Sequence, residues 1–452
     1  MKNDKKQYIS KNMFLEEISD IKKNYSKRFV TADEAVQIIK SGDRVYIHPG
    51  CAYPEILVDA MARRKDELYD VEVCHLLVAG DVAYIKPDME SHFRHNAFFI
   101  GNNARNAVKE GKADFTPIFL SEVPWLLRNI HKIDVALIQV SPPDKRGFCS
   151  FGVGIDCTKT AADVARYIIA LVNPNMPRTY GDSFIHISKI DFCVEADMPL
   201  NELPMIDNNK VDFDVYRKIG ENVAELVEDE ATLQLGIGAL PDAVLACLDD
   251  RRDLGIHSEM FSDGIIPLVE KGVINCEKKT LLPNKIVASF VLGTKKVFDF
   301  IDNNPEVEFR PTEFVNDPFT IARNRKMTAI NSALQIDLTG QVCSDSIGYN
   351  FYSGFGGQVD FLRGAAKSEG GKPIIALPST AKGGTISRLV AHLDEGAGVT
   401  DSRGDVHWVV TEFGKADLHG KTIRERTKML IKLAHPKFRE ELEKFAKEHH
   451  YL

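Results

Sequence analysis

An α/β protein of two similar, open, mostly parallel domains is what the sequence predicts. Three observations lead there. Short runs rich in Val, Ile and Leu alternate with stretches of helical periodicity along the chain, the pattern of parallel strands covered by helices. One segment of the first half repeats in the second. The chain has 452 residues, 44% hydrophobic and 27% charged, which is enough for two or three sizeable cores.

The elements follow in order. The opening "MKNDKKQYISKNMFLEEISDIKKNYSKRF" is charged and lacks the apolar stretch of roughly 7–15 residues that marks a secretory signal. A helix is predicted from "TADE", where Thr31 caps and Glu34 closes a capping box. Strands are predicted at Arg44–His48, Val71–Leu77, Val135–Val140 and Phe192–Glu195, then at Thr232–Leu235, Ile286–Val291, Ile374–Leu377 and His407–Thr411. "MTAINSALQIDLTGQV" alternates differently and reads as an antiparallel strand or hairpin arm. A last capped helix is predicted at "TIRE", from Thr422 and Glu425.

The repeat lays "GDRVYIHPGCAYPEILVDAM" (42–61) on "DEATLQLGIGALPDAVLACL" (229–248) without a gap, an offset of 187 residues (229 − 42). Pro54 meets Pro241, Glu55 meets Asp242, and the apolar residues that follow fall in step. Each copy is preceded by a helix-like stretch, "ADEAVQIIKS" or "ENVAELVED". The period is too long for a solenoid. It divides the chain into domains 1–215 and 216–452, with the boundary in the turn-rich "NELPMIDNNKVDF" (201–213).

Composition excludes several classes. A net charge of −8 argues against a nucleic-acid-binding body. The 8 cysteines form no C-x-x-C and no cluster with zinc spacing, so no metal is expected and the thiols read as free, in a reducing compartment. No apolar run approaches the roughly 18 residues of a membrane span, and "HHYL" is no lipidation signal; cytoplasm is the expected location. G-x-S-x-G, H-E-x-x-H, Walker A and the kinase motif set are absent, which disfavours a serine thioesterase and ATP-driven ligation.

Four stretches could carry chemistry. "GIGALPDAV" (236–244) is a Gly-rich turn between a strand and a helix, with Pro241 suited to the first helical position. It reads equally as an anion cradle or as a tight turn. "YSGFGGQVDF" (352–361) and "STAKGGTIS" (379–387) expose backbone at Gly354, Gly356 and Gly357 and set Lys382 before two glycines; alone they read as a flexible hairpin and a solvated lysine. In "LGIHSEMFSDG" (254–264), Glu259 falls near the C-terminal end of a strand, where open α/β sheets bind ligands; alone it reads as a surface carboxylate. His48 of "VYIHPG" matches Leu235 in the repeat and reads as a buried histidine or a substrate contact.

Taken together with "VALIQVSPPDKRGFCSFGV" (135–153) and the tail "VVTEFGKADLHGKTIRERTKMLIKLAHPKFREEL", these stretches resemble the acetyl-CoA hydrolase/transferase family, within the class I CoA-transferases. The resemblance runs from about residue 30 to the end and is strongest toward its 4-hydroxybutyrate branch, with the butyryl-CoA:acetate branch next. It implies the CoA-transferase fold, with the site between two similar α/β domains. It implies that Glu259 is the nucleophile and that Gly236, Ile237, Gly238, Ala239 and Leu240 contact CoA. Gly356, Gly357 and Lys382 are implied as further CoA or oxyanion contacts, and His48 is expected to orient the substrate.

The implied activity is ping-pong transfer of CoA between short-chain acids such as 4-hydroxybutyrate, butyrate and acetate, through a glutamyl-CoA thioester. A CoA thioester is then substrate, and no cofactor is held permanently. The expected partners are acyl-CoA and carboxylate substrates and further copies of the chain in a homodimer or larger homo-oligomer, with neither nucleic acid nor membrane. The alternatives are an acyl-CoA hydrolase using the same glutamate and a non-enzymatic metabolite-sensing domain.

Overall fold

The computed structural model describes residues 23–203 and 213–452, so the expected boundary segment lies mostly outside the described residues. A first sheet holds seven parallel strands: β1 (Arg44–Ile47), β2 (Val71–His75), β3 (Phe93–Ala97), β4 (Asp114–Phe115), β5 (Val135–Val140), β6 (Tyr167–Val172) and β7 (Phe192–Glu195). Their spatial order is β7-β6-β5-β1-β2-β3-β4. A second sheet holds β8 (Thr232–Leu235), β9 (Gly255–Ile256), β10 (Met327–Asn331), β11 (Lys372–Ala376), β12 (Trp408–Thr411) and β13 (Gly414–Asp417). Its order is β9-β8-β10-β11-β12-β13, parallel except for the closing β12–β13 hairpin.

The two sheets share one order: β2-β1-β5-β6-β7 in the first matches β9-β8-β10-β11-β12 in the second. The repeat therefore marks the same strand, β1 or β8, at the same place in each sheet. The central strands β5 and β6 carry apolar side chains on both faces because both faces are covered. In β5, Ala136, Ile138 and Val140 enter one core while Val135 and Leu137 enter another.

Helix Glu55–Arg63 buries Leu57, Val58 and Met61 on the first sheet, and helix Phe213–Ala224 buries Ile219 and Val223 on the second. Each such side chain contributes about 1.5–3 kcal/mol. The largest core joins the halves, bringing Ile138 and Val140 into one cluster with Leu233, Leu235 and Val291. Main-chain pairing joins them too: Tyr180–Gly181 runs parallel to Val307–Phe309.

Both expected capping boxes are formed, at Thr31/Glu34 and Thr422/Glu425. Other expectations are corrected. Met327–Asn331 is a parallel strand in the middle of the second sheet; only Gln335–Asp337, later in the same stretch, pairs antiparallel, with Val342–Cys343. Ile286–Val291 is two strands, Ile286–Ala288 and Phe290–Val291, because Ser289 turns its main chain toward a different neighbour. The second repeat helix is Ala239–Leu245, so Pro241 is its third residue, still in the first turn, where its missing N–H donor costs no intrahelical hydrogen bond. All eight cysteines are free. Among the described residues no helix is long and apolar enough to cross a membrane, and no cluster of His, Cys, Asp and Glu could hold a metal.

Candidate active site

Glu259 sits on a short, rigid piece of backbone just beyond β9. Its carbonyl accepts from the N–H groups of Ser289 (2.9 Å) and Phe290 (3.1 Å), and Met260–Phe261 pairs with Phe290–Val291. Ser258 ties the segment back to β8, its hydroxyl donating to the Leu235 carbonyl at 3.1 Å. With the main chain held at both sides, the Glu259 side chain points away from the core and keeps part of its surface accessible.

Two groups hold the carboxylate. Asn316 Nδ2 donates to Oε2 at 3.0 Å, and the backbone N–H of Gly357 donates to the same carboxylate. Burial raises the Glu259 pKa, and these two donors work against that rise. Gly357 has no room for a side chain: a Cβ there would lie 1.9 Å from Glu259 Oε2 and 2.2 Å from Asn316 Nδ2. It also precedes helix Gln358–Lys367, whose positive end therefore faces the carboxylate.

The Gly loop is anchored to the other half of the chain. Leu120 N–H donates to the Gly356 carbonyl at 3.0 Å. Ser121 donates twice to Asp360, from N–H at 3.1 Å and from Oγ at 2.9 Å. Burial, with the Glu259 charge adding to it, pushes the Asp360 carboxyl up to about 7 against the pull of Ser121.

Glu259 lines two cavities at once. The first, of about 60 Å³, is apolar and enclosed by Leu76, Leu77, Leu120, Phe290 and Val291, with Asp156 among its few polar neighbours. The second, of about 300 Å³, is more open and more polar; Gly236, Ile237, Asn331, Ser344, Gln358 and Arg388 line it. Phe99, Glu259, Met260 and Gly356 belong to both. The cavities lie beyond the carboxyl ends of strands from both sheets, where ligands bind in open α/β folds.

The family models match in order along the chain. The acetyl-CoA hydrolase/transferase N-terminal domain covers residues 9–203 and the C-terminal domain of the same name covers 293–446. The 4-hydroxybutyrate coenzyme A transferase of Clostridium kluyveri is 54% identical over 92% of this chain and 97% of its own length. The chain belongs to the acetyl-CoA hydrolase/transferase family. The resemblance read from the motifs is thus borne out. The succinyl-CoA:acetate/propanoyl-CoA:succinate CoA transferase of Fasciola hepatica is 48% identical over 95% of this chain and 90% of its own. The crystal structure of 4-hydroxybutyrate CoA-transferase from Porphyromonas gingivalis superposes with a TM-score of 0.82, at 41% identity over 95% of this chain and 99% of that one.

Within this family fold, the structure brings together Glu259, Gly236, Ile237, Gly356 and Gly357. Gly238 precedes helix Ala239–Leu245 at φ 111°, and Ala239 and Leu240 form its first turn, one step behind the cavity wall. Lys382 is exposed in the turn between Thr380–Ala381 and Ile386–Ser387 and lines neither cavity. His48 differs from the substrate contact anticipated. It is fully buried, Nδ1 accepts from the Gln139 N–H (3.2 Å), and Nε2 lies 2.7 Å from the Gly154 carbonyl, so both nitrogens are committed to the main chain. Its place is to hold the cavity-lining Gly154, and burial pushes its pKa down to about 4.

Sequence reasoning missed Asn316, Asp156, Ser121 and Asp360. Asn316 comes 57 residues after Glu259 in a stretch, "EFVNDPF", that reads as an ordinary turn. Only the packing of helix Thr312–Val315 brings it to the carboxylate.

Proposed function

We propose that this chain is a CoA-transferase that exchanges CoA between short-chain carboxylic acids, with Glu259 as covalent carrier. One observation carries the reading: a partly accessible carboxylate, held by Asn316 and Gly357, stands where a small apolar cavity meets a larger polar one. The apolar cavity suits an acyl chain and the open one suits the arm of CoA. Glu259 is the one carboxylate that the two linings share. The relatives' names, which cite 4-hydroxybutyrate, succinate, acetate and propanoyl-CoA, support carboxylic acids as the exchanging class.

The chemistry needs no outside energy, since one thioester is broken as another is made. Glu259 attacks the acyl-CoA carbonyl, the C–S bond breaks, and CoA leaves as thiolate from an acyl-glutamyl anhydride. The thiolate attacks the glutamyl carbonyl, which gives a glutamyl-CoA thioester and releases the first acid as carboxylate. The incoming carboxylate repeats both steps in reverse.

Each tetrahedral intermediate carries an oxyanion, and a backbone N–H aimed at it is worth about 3–4 kcal/mol. The Gly356–Gly357 loop and the Gly236–Ile237 turn are the donors in reach of the cavities. Leu76, Leu120 and Phe290 keep water from the anhydride, which separates transfer from hydrolysis.

The test is a panel of acyl-CoA donors against acid acceptors, with mass spectrometry of the Glu259 peptide. Expected are new acyl-CoA only when an acceptor is present, a trapped glutamyl-CoA adduct, and loss of transfer in Glu259→Gln. Release of free CoA without acceptor would replace transfer with hydrolysis. Full activity of Glu259→Gln would remove the carrier role.

A further inference from the structure

We propose that Asp156 is the residue by which the apolar cavity selects acyl chains that carry a hydroxyl group. The proposal rests on the transferase reading above and names its substrate class more closely.

Asp156 is a buried carboxylate, 2% exposed, in the lining of an otherwise apolar cavity. Its two oxygens are used very differently. Oδ1 accepts from the Cys157 N–H (2.5 Å), the Thr158 N–H (2.9 Å), Thr158 Oγ1 (2.9 Å) and the Tyr46 hydroxyl (3.4 Å). These donors fix the orientation of the carboxyl group. No donor among the described residues reaches Oδ2, which stands beside Gly154 in the cavity wall; a Cβ on Gly154 would lie 3.1 Å from it. Oδ2 thus keeps its surface open to the cavity, a charged acceptor that no protein group occupies, and a ligand that supplies a donor gains a charge-assisted hydrogen bond.

The placement suits the far end of an acyl chain. Glu259 and Asp156 flank Ser289: the Ser289 N–H donates to the Glu259 carbonyl (2.9 Å) and the Asp156 N–H to the Ser289 carbonyl (3.3 Å). Their backbones therefore stand two strand spacings apart, roughly 10 Å. A chain whose carbonyl meets Glu259 runs past Leu76, Leu77 and Phe290 toward Asp156. A methyl group at its end leaves Oδ2 unpaired. A hydroxyl donates to it, in a hydrogen bond strengthened by the charge. This asymmetry, in which a polar site rejects the ligand that lacks its partner, discriminates far better than size does.

The experiment uses the full-length enzyme with acetate as acceptor and compares kcat/KM for 4-hydroxybutyryl-CoA with that for butyryl-CoA, in wild type, Asp156→Asn and Asp156→Ser. Wild type is expected to favour the hydroxyacyl substrate by about 10–100-fold. Asp156→Asn keeps an acceptor for the four donors but replaces the charged Oδ2 with an amide, and the preference falls by about 5–10-fold. Asp156→Ser keeps a capping oxygen for Thr158 but has none facing the cavity, and the ratio approaches unity.

A purely structural Asp156 would lower both substrates together and leave the ratio, which would overturn the inference. So would a wild-type enzyme without preference, or an unchanged ratio in Asp156→Asn, the variant that keeps the fold if the serine does not. A wild type that transfers CoA from neither substrate would instead refute the transferase reading itself.

Discussion

Gly357→Ala isolates the close approach on which the proposed site depends. The added Cβ would stand 1.9 Å from Glu259 Oε2 and 2.2 Å from Asn316 Nδ2. A carbon and an oxygen that are not bonded keep about 3.3 Å apart, so Oε2 must retreat by roughly 1.4 Å and Nδ2 by a little over 1 Å. A displacement of 1 Å at a reacting group costs about 10²-fold in rate. Disturbing the Gly357 N–H as an oxyanion donor raises the loss toward 10³-fold. The fold is not at risk, because Gly357 has φ −97° and ψ 3°, which alanine adopts without strain. The substitution should lower kcat for transfer by about 10²–10³-fold and shift the thermal midpoint only slightly. Gly356→Ala is the contrasting variant: its φ of 54° imposes strain of about 1–2 kcal/mol, read as a lower midpoint. The assay is acyl exchange by steady-state kinetics beside thermal unfolding. Near wild-type transfer by Gly357→Ala, with the fold intact, would refute Glu259 and Gly357 as reacting neighbours.

Three further outcomes are expected. Asn316→Ala removes a donor that lowers the Glu259 pKa, so the acid limb of the kcat/KM profile moves to higher pH and the rate falls by about 10-fold or more; an unmoved limb would separate Asn316 from Glu259 ionisation. His48 is held near pKa 4 against 6.5 for an ordinary histidine, so its contribution to stability is complete above pH 6.5 and is lost as pH falls through 4. The size is of order 3 kcal/mol, and urea midpoints between pH 7 and 4 should fall less steeply in His48→Gln than in wild type; equal slopes would contradict it. Asp360 titrates near 7 against 3.8, so it favours folding below pH 3.8 and that benefit is lost as pH rises through 7. Asp360→Asn, which keeps both contacts to Ser121 if the serine hydroxyl turns to accept, should flatten the pH dependence by up to about 4 kcal/mol; an unchanged profile would show that Asp360 is ionised without cost.

The architecture was legible because parallel sheets write themselves into sequence. β5 is apolar at five of its six positions, β8 at its core positions, and the caps at Thr31 and Thr422 are local signals that need no tertiary context. The 187-residue repeat by itself places β1 and β8 at equivalent points. What failed was local geometry set by distant partners. Ser289 breaks a strand because Glu259, Ile155 and Asp156 all bond to its backbone, and nothing in "KIVASFV" foretells that. The pattern of Met327–Asn331 does not show its parallel direction, because strand direction depends on the neighbours it meets, β8 and β11. At the site, the glycines and Glu259 stood out by residue type alone. Asn316 and Asp156 did not, since a buried polar residue is told from a surface one only by what encloses it.

The symmetry of the fold and the asymmetry of the site belong to one design. The loops after β1 and β2 in the first half give Pro49, Gly50, Cys51, Leu76 and Leu77, which form an apolar wall. The loops after the matching strands of the second half, β8 and β9, give Gly236, Ile237 and Glu259, which supply backbone amides and a carboxylate. Two sheets of like order, set with their carboxyl ends converging, thus present opposite chemistries to the same small space. An anhydride on Glu259 would face amides on one side and hydrocarbon on the other. In the proposed reaction the amides would stabilise charge as it develops, and the hydrocarbon would keep water from the carbonyl. Neither half could do both, because a wall polar enough to bind the oxyanion would also hold water. The contacts of Leu120 with Gly356 and of Ser121 with Asp360 fasten the two halves where these walls meet. Loosening them should favour hydrolysis over transfer, so Ser121→Ala is expected to raise CoA release without acceptor relative to acyl exchange. A Ser121→Ala enzyme with an unchanged ratio of the two would show that water exclusion does not depend on this junction.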